Sequence, residues 1–122
     1  MREHAEETLT PKDILFDLQI DQLAMTKNMP SHIRQHLYLL YKEAITNVAK
    51  HSNASKVTVK LQKFSNNGLE MRIHDNGEVK QKNYKTTGSG LANMRMRAEQ
   101  IGGTFDIDTS NGFLIIIQLQ RL

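Results

Sequence analysis

The sequence predicts an α+β fold: a two-layer sandwich with helices packed on one face of a mixed, mostly antiparallel sheet. Two long stretches repeat their apolar residues with helical spacing, and shorter stretches alternate apolar with polar residues as strands do. Turns that contain glycine and asparagine separate the later strands. The resulting order, α-β-α-β-β-α-β-β, favours helices gathered on one side of a paired sheet.

The first half of the chain contributes two helices and one strand. Residues 2–9 form a short polar helix that Pro11 ends, and residues 14–20 form a strand. After a connection over residues 21–30, Ser31 is the predicted N-cap of a long helix that extends to His51.

The second half contributes two pairs of strands and one helix. Apolar and polar residues alternate over 57–62 and again over 69–73, with a hairpin turn at residues 66–68 between them. A polar loop over residues 76–87 leads to a helix over residues 90–101, which a glycine pair ends. Strands at 104–109 and 113–119 follow, and the last is apolar on both faces, which indicates a central strand.

Composition narrows the possible functions of this chain of 122 residues. It has no cysteine, which excludes disulfides, thiolate metal sites and a cysteine nucleophile. The net charge of +3 is spread out, without the basic run that is typical of a nucleic-acid-binding tail. The longest apolar run, residues 113–117, is far shorter than the roughly 20 residues of a membrane span. We expect a single domain over residues 1–122.

Three polar residues of the long helix share a narrow sector of its surface. At about 100° per residue, Glu43, Asn47 and Lys50 project beside an apolar stripe. The stripe consists of Ile33, Leu37, Leu40, Ala44 and Val48. Polar groups at the edge of a core are costly unless something binds them. Amide and carboxylate oxygens suit Mg²⁺, and lysine suits a phosphate. A solvated helix face with modest ion pairing is the alternative interpretation.

Two further motifs would complete a site for an adenine nucleotide. Asp75 ends the second strand of the hairpin, where a fixed carboxylate suits the amino group of adenine, and Gly77 would let a flat ligand approach the backbone. Gly88 and Gly90 come before a helix, so their backbone amides and the helix dipole suit phosphate. Taken alone, the segment at Asp75 could equally be an ordinary turn, and the segment at Gly88 and Gly90 could equally be a flexible loop.

In this order, the three motifs resemble the ATP-binding catalytic domain of bacterial sensor histidine kinases. The likeness runs from about Arg34 to the end of the chain. Residues 43–51 resemble the N box of that family, residues 75–77 its first glycine box, and residues 88–98 its second, in the form found with a short nucleotide lid. The wider group includes gyrase, the Hsp90 chaperones and the MutL repair proteins, and its Bergerat-type fold is the two-layer sandwich predicted above.

The resemblance implies a role for each motif. Glu43 would be the catalytic base or polarising group near the γ-phosphate, and Asn47 would bind Mg²⁺. Residues 76–87 would form the mobile lid. The other implied nucleotide-binding residues are Lys50, His51, Asp75, Gly77, Gly88, Gly90 and Leu91.

The implied function is transfer of the γ-phosphate of ATP, with Mg²⁺, to a histidine on a separate dimerisation domain. That domain and, indirectly, a response regulator would be the partners; nucleic acid and direct membrane contact are not expected. The domain would be cytoplasmic, in a full-length protein that the inner membrane could anchor. His4, His32, His36 and His74 lack the context of a phosphoacceptor hairpin, so we expect a fragment of a longer kinase.

Two departures from the family pattern leave alternatives open. Val79 stands where the first glycine box usually has its second glycine, and Phe113 where the last glycine turn usually ends in threonine. In the family, both positions line the adenine end of the pocket. The alternatives are a protein-serine kinase of the anti-sigma type, which shares the boxes, and a degenerate module that only docks partners.

Overall fold

The computed structural model describes residues 2–21, 29–65, 67–78 and 88–120. Within these ranges the elements follow the predicted order. They are α1 (Arg2–Leu9), a 3₁₀ turn (Thr10–Lys12), β1 (Leu15–Ile20), α2 (Ser31–His51), β2 (Lys56–Phe64), β3 (Gly68–Asp75), α3 (Gly88–Gln100), β4 (Gly103–Asp108) and β5 (Phe113–Leu119).

The five strands form one mixed sheet in the order β1-β2-β3-β5-β4. β1 pairs with β2 in parallel, across the connection that contains α2, and the three remaining pairs are antiparallel. β5 therefore lies between two strands, as its apolar residues predict. The architecture confirms the predicted α+β sandwich with a mostly antiparallel sheet.

The core lies between one face of the sheet and the helices. The register places Val59, Ile73 and Ile115 side by side on that face, and all three are buried. From α3, Met94 and Ala98 pack against the same face. All five residues of the predicted apolar stripe on α2 are buried: Ile33, Leu37, Leu40, Ala44 and Val48. Helical periodicity thus correctly identifies the side of α2 that faces the sheet.

The predicted N-cap of α2 is wrong. The capping position is occupied by Pro30, with φ −59° and ψ 144°, and no side chain caps the helix. Because Pro30 already has the extended ψ of a capping residue, Ser31 is the first helical residue and cannot cap. The start of α3 also differs, since the helix begins at Gly88 rather than at Gly90. Both glycines therefore belong to the first helical turn and not to a loop before it.

Some predicted features lie outside the described residues. They include residues 22–28 of the connection before α2 and residues 79–87 of the predicted lid, among them Val79. Within the described part of the chain, no helix combines the length and the apolar character needed to cross a membrane.

The face of the sheet opposite the helices carries a buried carboxylate. Glu70 is 4% exposed, and the register places it between Gln62 on β2 and Gln118 on β5. Its Oε1 accepts hydrogen bonds from Gln62 Nε2 and Arg72 Nε at 2.6 Å each, and its Oε2 accepts one from Gln118 Nε2 at 2.6 Å. Burial alone would raise the pKa of Glu70, but the bonds from Gln118, Arg72 and Gln62, with the charge of Arg72, hold that pKa below its ordinary value.

Replacing Glu70 should destabilise the domain in a pH-dependent way. A lowered folded-state pKa contributes stability above the ordinary carboxyl value of 4.5, and this contribution is lost as the pH falls through the folded-state pKa. We expect Glu70→Gln to lower the free energy of unfolding by about 1–3 kcal/mol at pH 7. The difference from wild type should shrink in urea denaturation at pH 3.

The matched control is Glu99→Gln, on an exposed position of α3. It should change stability by less than about 0.5 kcal/mol at either pH. An equal loss for Glu70→Gln at pH 7 and pH 3 would show that side-chain packing, and not the carboxylate charge, accounts for its contribution.

Candidate functional site

The first half of the site lies where the first turn of α3 contacts α2. Glu43 and Asn47 lie one turn apart on α2 and are half-buried. A Cβ atom built on Gly90 would lie 3.0 Å from Glu43 Oε1 and 3.2 Å from Asn47 Nδ2. The first turn of α3 can approach these polar groups so closely because position 90 carries no side chain. The structure thus joins the first and third sequence motifs.

Within the described part of the chain, the polar atoms at this junction make no hydrogen bonds that hold elements together. Among the hydrogen bonds between described residues, none engages the carboxylate of Glu43 or the amide of Asn47. Beside them is the N-terminus of α3, a helix of 13 residues, whose first backbone N–H groups lack helical acceptors. The junction therefore offers an amide and a carboxylate next to a set of N–H donors.

The other predicted residues of these two motifs lie on the same two helices. Lys50 is exposed near the end of α2, and His51 is its last residue, with a side chain outside the described part of the structure. Gly88 is the first residue of α3. Leu91 is partly buried and packs against the core, so it anchors the start of α3.

The second half of the site surrounds Asp75, which is 5% exposed at the end of β3. Its Oδ1 accepts a hydrogen bond from Ser52 Oγ at 3.1 Å and another from the backbone N–H of Gly77 at 2.9 Å. A Cβ on Gly77 would lie 2.5 Å from Ser52 Oγ and 2.9 Å from the backbone nitrogen of Ala54. Glycine is therefore required at position 77 by close packing.

The α2–β2 turn, residues 52–55, holds the segment that follows β3. The side-chain Oδ1 of Asn76 accepts hydrogen bonds from the backbone N–H groups of Ser55 at 2.9 Å and Lys56 at 3.0 Å. Asn53 Oδ1 accepts one from the N–H of Glu78 at 2.8 Å. These bonds fix residues 76–78 to the end of α2 and so fix Asp75 relative to the helix that carries Glu43.

Sequence reasoning missed Ser52 and Asn53 as parts of the site, and it assigned Asn76 to the mobile lid, whereas hydrogen bonds hold Asn76 to the turn after α2. Each appears in the sequence as an ordinary turn residue. Ser52 and Asp75 are 23 positions apart, and only the pairing of β2 with β3 brings them together. The turn residues that follow each motif in the sequence could have indicated these positions. They do not show which segment each turn contacts.

Phe113, the departure from the family pattern, lies directly opposite Asp75 in the pairing of β3 with β5. It is partly buried and packs against the core. The preceding Gly112 has φ 76° and lies against the backbone oxygen of Asp75. Phe113 is therefore both a neighbour of Asp75 and a packing residue.

A groove of about 500 Å³ separates α2 from α3 and reaches the site at Glu43. Its walls combine methionine and leucine side chains with polar and cationic ones. They are Leu39, Lys42, Glu43 and Thr46 from α2, and Asn93, Met94, Met96, Arg97 and Gln100 from α3. Glu43 is thus accessible from the groove side as well as from the start of α3.

The fold and the site define an ATPase-like domain, and comparison with known families agrees. The family described as histidine kinase-, DNA gyrase B-, and HSP90-like ATPase matches residues 32–121. That range contains α2 from its second residue onward and all the elements from β2 to β5. The chain belongs to this family.

The relatives that the chain resembles are bacterial sensor proteins. It is 37% identical over 103 residues to the sensor histidine kinase LiaS of Bacillus subtilis, covering 84% of this chain and 27% of LiaS. It is 41% identical over 105 residues to the sensor protein VraS of Staphylococcus aureus, covering 79% of this chain and 29% of VraS. The chain therefore spans less than a third of the length of these curated relatives.

Solved structures share the fold at low sequence identity. A histidine kinase domain from a blue-light activated kinase of Erythrobacter litoralis superposes with a TM-score of 0.75 at 18% identity, covering 94% of this chain and 56% of that chain. The ATP binding domain of PrrB from Mycobacterium tuberculosis gives 0.62 at 22% identity, covering 96% of this chain and 90% of that one. At these identities the likeness concerns the fold alone.

The close packing at Gly77 predicts a clear effect of adding one methyl group. We expect Gly77→Ala to lower the free energy of unfolding by about 1–3 kcal/mol. The reason is that its Cβ would meet a backbone atom, which cannot move aside as a side chain can. Urea denaturation at neutral pH measures the change.

Gly90→Ala is the matched comparison, because the atoms nearest to its Cβ would be the ends of the Glu43 and Asn47 side chains. Alanine also favours a helix over glycine by about 1 kcal/mol. Its stability should stay close to that of wild type. Similar losses in both variants would contradict the packing described around Gly77.

Proposed function

We propose that this domain binds ATP with Mg²⁺ and acts as the catalytic domain of a sensor histidine kinase. The observation that carries the proposal is the approach of Gly90 to Glu43 and Asn47, which places polar groups without a described hydrogen-bond partner beside a helix N-terminus. The buried carboxylate of Asp75 provides the second fixed point. Family membership and the sensor kinases among the relatives support the same function.

The two halves of the site suit the two ends of ATP. Asp75 would accept a hydrogen bond from the amino group of adenine, and the close packing of Gly77 against the turn after α2 would hold the end of β3 in place. The first N–H groups of α3, from Gly88 and Gly90 onward, would bind phosphate oxygens. Lys50 and His51, at the end of α2, would contribute positive charge or close the nucleotide pocket.

The residues at the junction fit Mg²⁺ bound together with a nucleotide. Within the described residues, no cluster of three or more histidine, aspartate or glutamate side chains could form a metal cage. Mg²⁺ is commonly held by one or two protein oxygens, with phosphates and water completing its shell. Asn47 would supply the protein oxygen, and the metal would neutralise charge on the phosphates.

Glu43 would act on the acceptor histidine. In the transfer, the bond from the γ-phosphorus to the bridging oxygen breaks, a bond to an imidazole nitrogen forms, and ADP leaves. Glu43, half-buried and without a protein partner among the described residues, would orient the imidazole ring or accept its proton. The groove between α2 and α3 supports this role, since it opens a route to Glu43 from outside.

We further propose that the domain is one part of a longer cytoplasmic kinase region. The chain covers only 27% of LiaS and 29% of VraS, which leaves most of such a protein to other domains. A dimerisation domain would supply the phosphoacceptor histidine, and a response regulator would receive the phosphoryl group from it. If the domain were a protein-serine kinase of the anti-sigma type, its product would be a phosphoserine and not a phosphohistidine. If it were a degenerate docking module, it would not bind the nucleotide.

Nucleotide titration tests the proposal at Asn47. We expect Asn47→Ala to weaken binding of ATP at least about tenfold in the presence of Mg²⁺, because the metal loses its protein ligand. The effect should disappear when EDTA replaces Mg²⁺. Stability should change by less than about 0.5 kcal/mol, since the Asn47 side chain forms no hydrogen bond with another described residue. Isothermal titration calorimetry and urea denaturation measure the two quantities.

Asn67→Ala is the matched control, because Asn67 is an exposed residue at the opposite end of the β2–β3 hairpin. It should bind ATP as wild type does. Absence of ATP binding by the wild-type domain would favour the degenerate docking module, for which the position of Phe113 opposite Asp75 is the specific argument.

Phosphotransfer tests the kinase assignment directly. We expect the isolated chain to remain unlabelled by γ-³²P-ATP, because no histidine of the described residues belongs to a helical phosphoacceptor hairpin. Addition of the dimerisation domain from the full-length gene should give an acid-labile phosphohistidine on that domain. Glu43→Gln should slow the labelling. Acid-stable phosphoserine on a partner, or stoichiometric labelling of the isolated chain, would contradict the assignment.

A further inference from the structure

In the turn after α2, the hydroxyl group of Ser52 both donates and accepts a hydrogen bond. Ser52 Oγ accepts from the backbone N–H of Ala54 at 3.0 Å and lies 3.1 Å from Asp75 Oδ1. An ionised carboxylate can only accept, so the hydroxyl proton must point to Asp75. The Ala54 N–H therefore fixes the oxygen of Ser52, and the carboxylate fixes its proton.

The contact with Ser52 also makes the two oxygens of the Asp75 carboxylate different in their hydrogen bonding. Oδ1 receives both the Ser52 hydroxyl and the N–H of Gly77, at 3.1 and 2.9 Å. No hydrogen bond between described residues engages Oδ2. Two donors from opposite segments of chain hold Oδ1, so the carboxylate cannot rotate without losing one of them. Oδ2 is the oxygen that is left for a ligand.

We propose that Ser52 is a positioning residue for base recognition, which orients Asp75 so that Oδ2 accepts the exocyclic amino group of an adenine base. The inference rests on the proposed ATP-binding function. It adds that selection of an amino-bearing purine depends on a residue that does not itself contact the base. A carboxylate held in this way accepts from an amino group but repels a keto oxygen at the same position.

A comparison of two nucleotides distinguishes the positioning role of Ser52 from a purely structural role. ATP and purine riboside 5′-triphosphate differ only in the amino group, which the second compound lacks. Wild-type protein should bind ATP more tightly than the analogue. In Ser52→Ala, ATP affinity should fall roughly tenfold, which corresponds to ~1.4 kcal/mol, while affinity for the analogue should change by less than about twofold. Calorimetry with Mg²⁺ measures all four constants.

Ser55→Ala provides a matched control in the same turn. Ser55 Oγ contacts Asn76 Nδ2 at 3.0 Å and makes no contact with Asp75. The variant should retain the wild-type preference for ATP over the analogue. Ser52→Cys, whose thiol is somewhat larger than the hydroxyl and a weaker donor, should shift the preference in the same direction as Ser52→Ala and serves if the alanine variant does not fold.

The outcomes distinguish the inference from the function on which it rests. Equal weakening of both nucleotides in Ser52→Ala would show that Ser52 only supports the fold, and unchanged affinities for both nucleotides would show that Asp75 is positioned without it. Either result overturns the inference while leaving ATP binding intact. Failure of the wild-type domain to bind either nucleotide would instead overturn the proposed function, and this inference with it.

Discussion

The attachment of the end of α2 to the end of β3 is the constraint on which the rest of the structure depends. Hydrogen bonds from the α2–β2 turn to Asp75, Asn76 and Glu78 connect the helical layer to the middle of the sheet. Apolar packing between two layers allows sliding, whereas a set of directional bonds at one edge does not. The bonds therefore determine how far the polar side of α2 lies from the carboxylate at the strand end. The proposed nucleotide site, which would hold the two ends of one ligand, requires such a fixed distance.

α2 combines two roles that usually conflict. Its apolar stripe fills the core, while Glu43 and Asn47 lie half-buried at the boundary of that stripe. Leaving polar atoms there without partners has an energetic cost, which the large buried surface of the same helix can offset. Gly90 then brings the N-terminus of α3 close enough to make the junction useful. The polar sector is thus explained by the approach of another element and not by the helix alone.

Local patterns in the sequence predicted the fold well because they concern one element at a time. Periodicity identified α2 and its buried stripe, alternation identified β2 and β3, and apolar residues on both faces identified the central position of β5. The errors concern properties that neighbours decide. Ser31 was expected to cap α2, but Pro30 takes that position. Ser52 gave no signal, since its partner is 23 residues away and its importance depends on strand register. Motifs thus predict which residue types are present in a site, whereas tertiary contacts decide how these residues are oriented.

Two buried carboxylates show how the structure separates a structural acid from one suited to binding. Glu70 has a donor for each oxygen, from Gln62 and Arg72 on one side and Gln118 on the other. With both oxygens bonded, it holds three strands together and has little capacity left for a ligand. Asp75 is equally buried, yet the two donors that it has among the described residues reach the same oxygen. Burial therefore does not by itself indicate function, because the distribution of donors between the two oxygens decides it. Where one oxygen is saturated and the other is left over, the fold has oriented an acceptor without using it, as recognition of a hydrogen-bond donor requires.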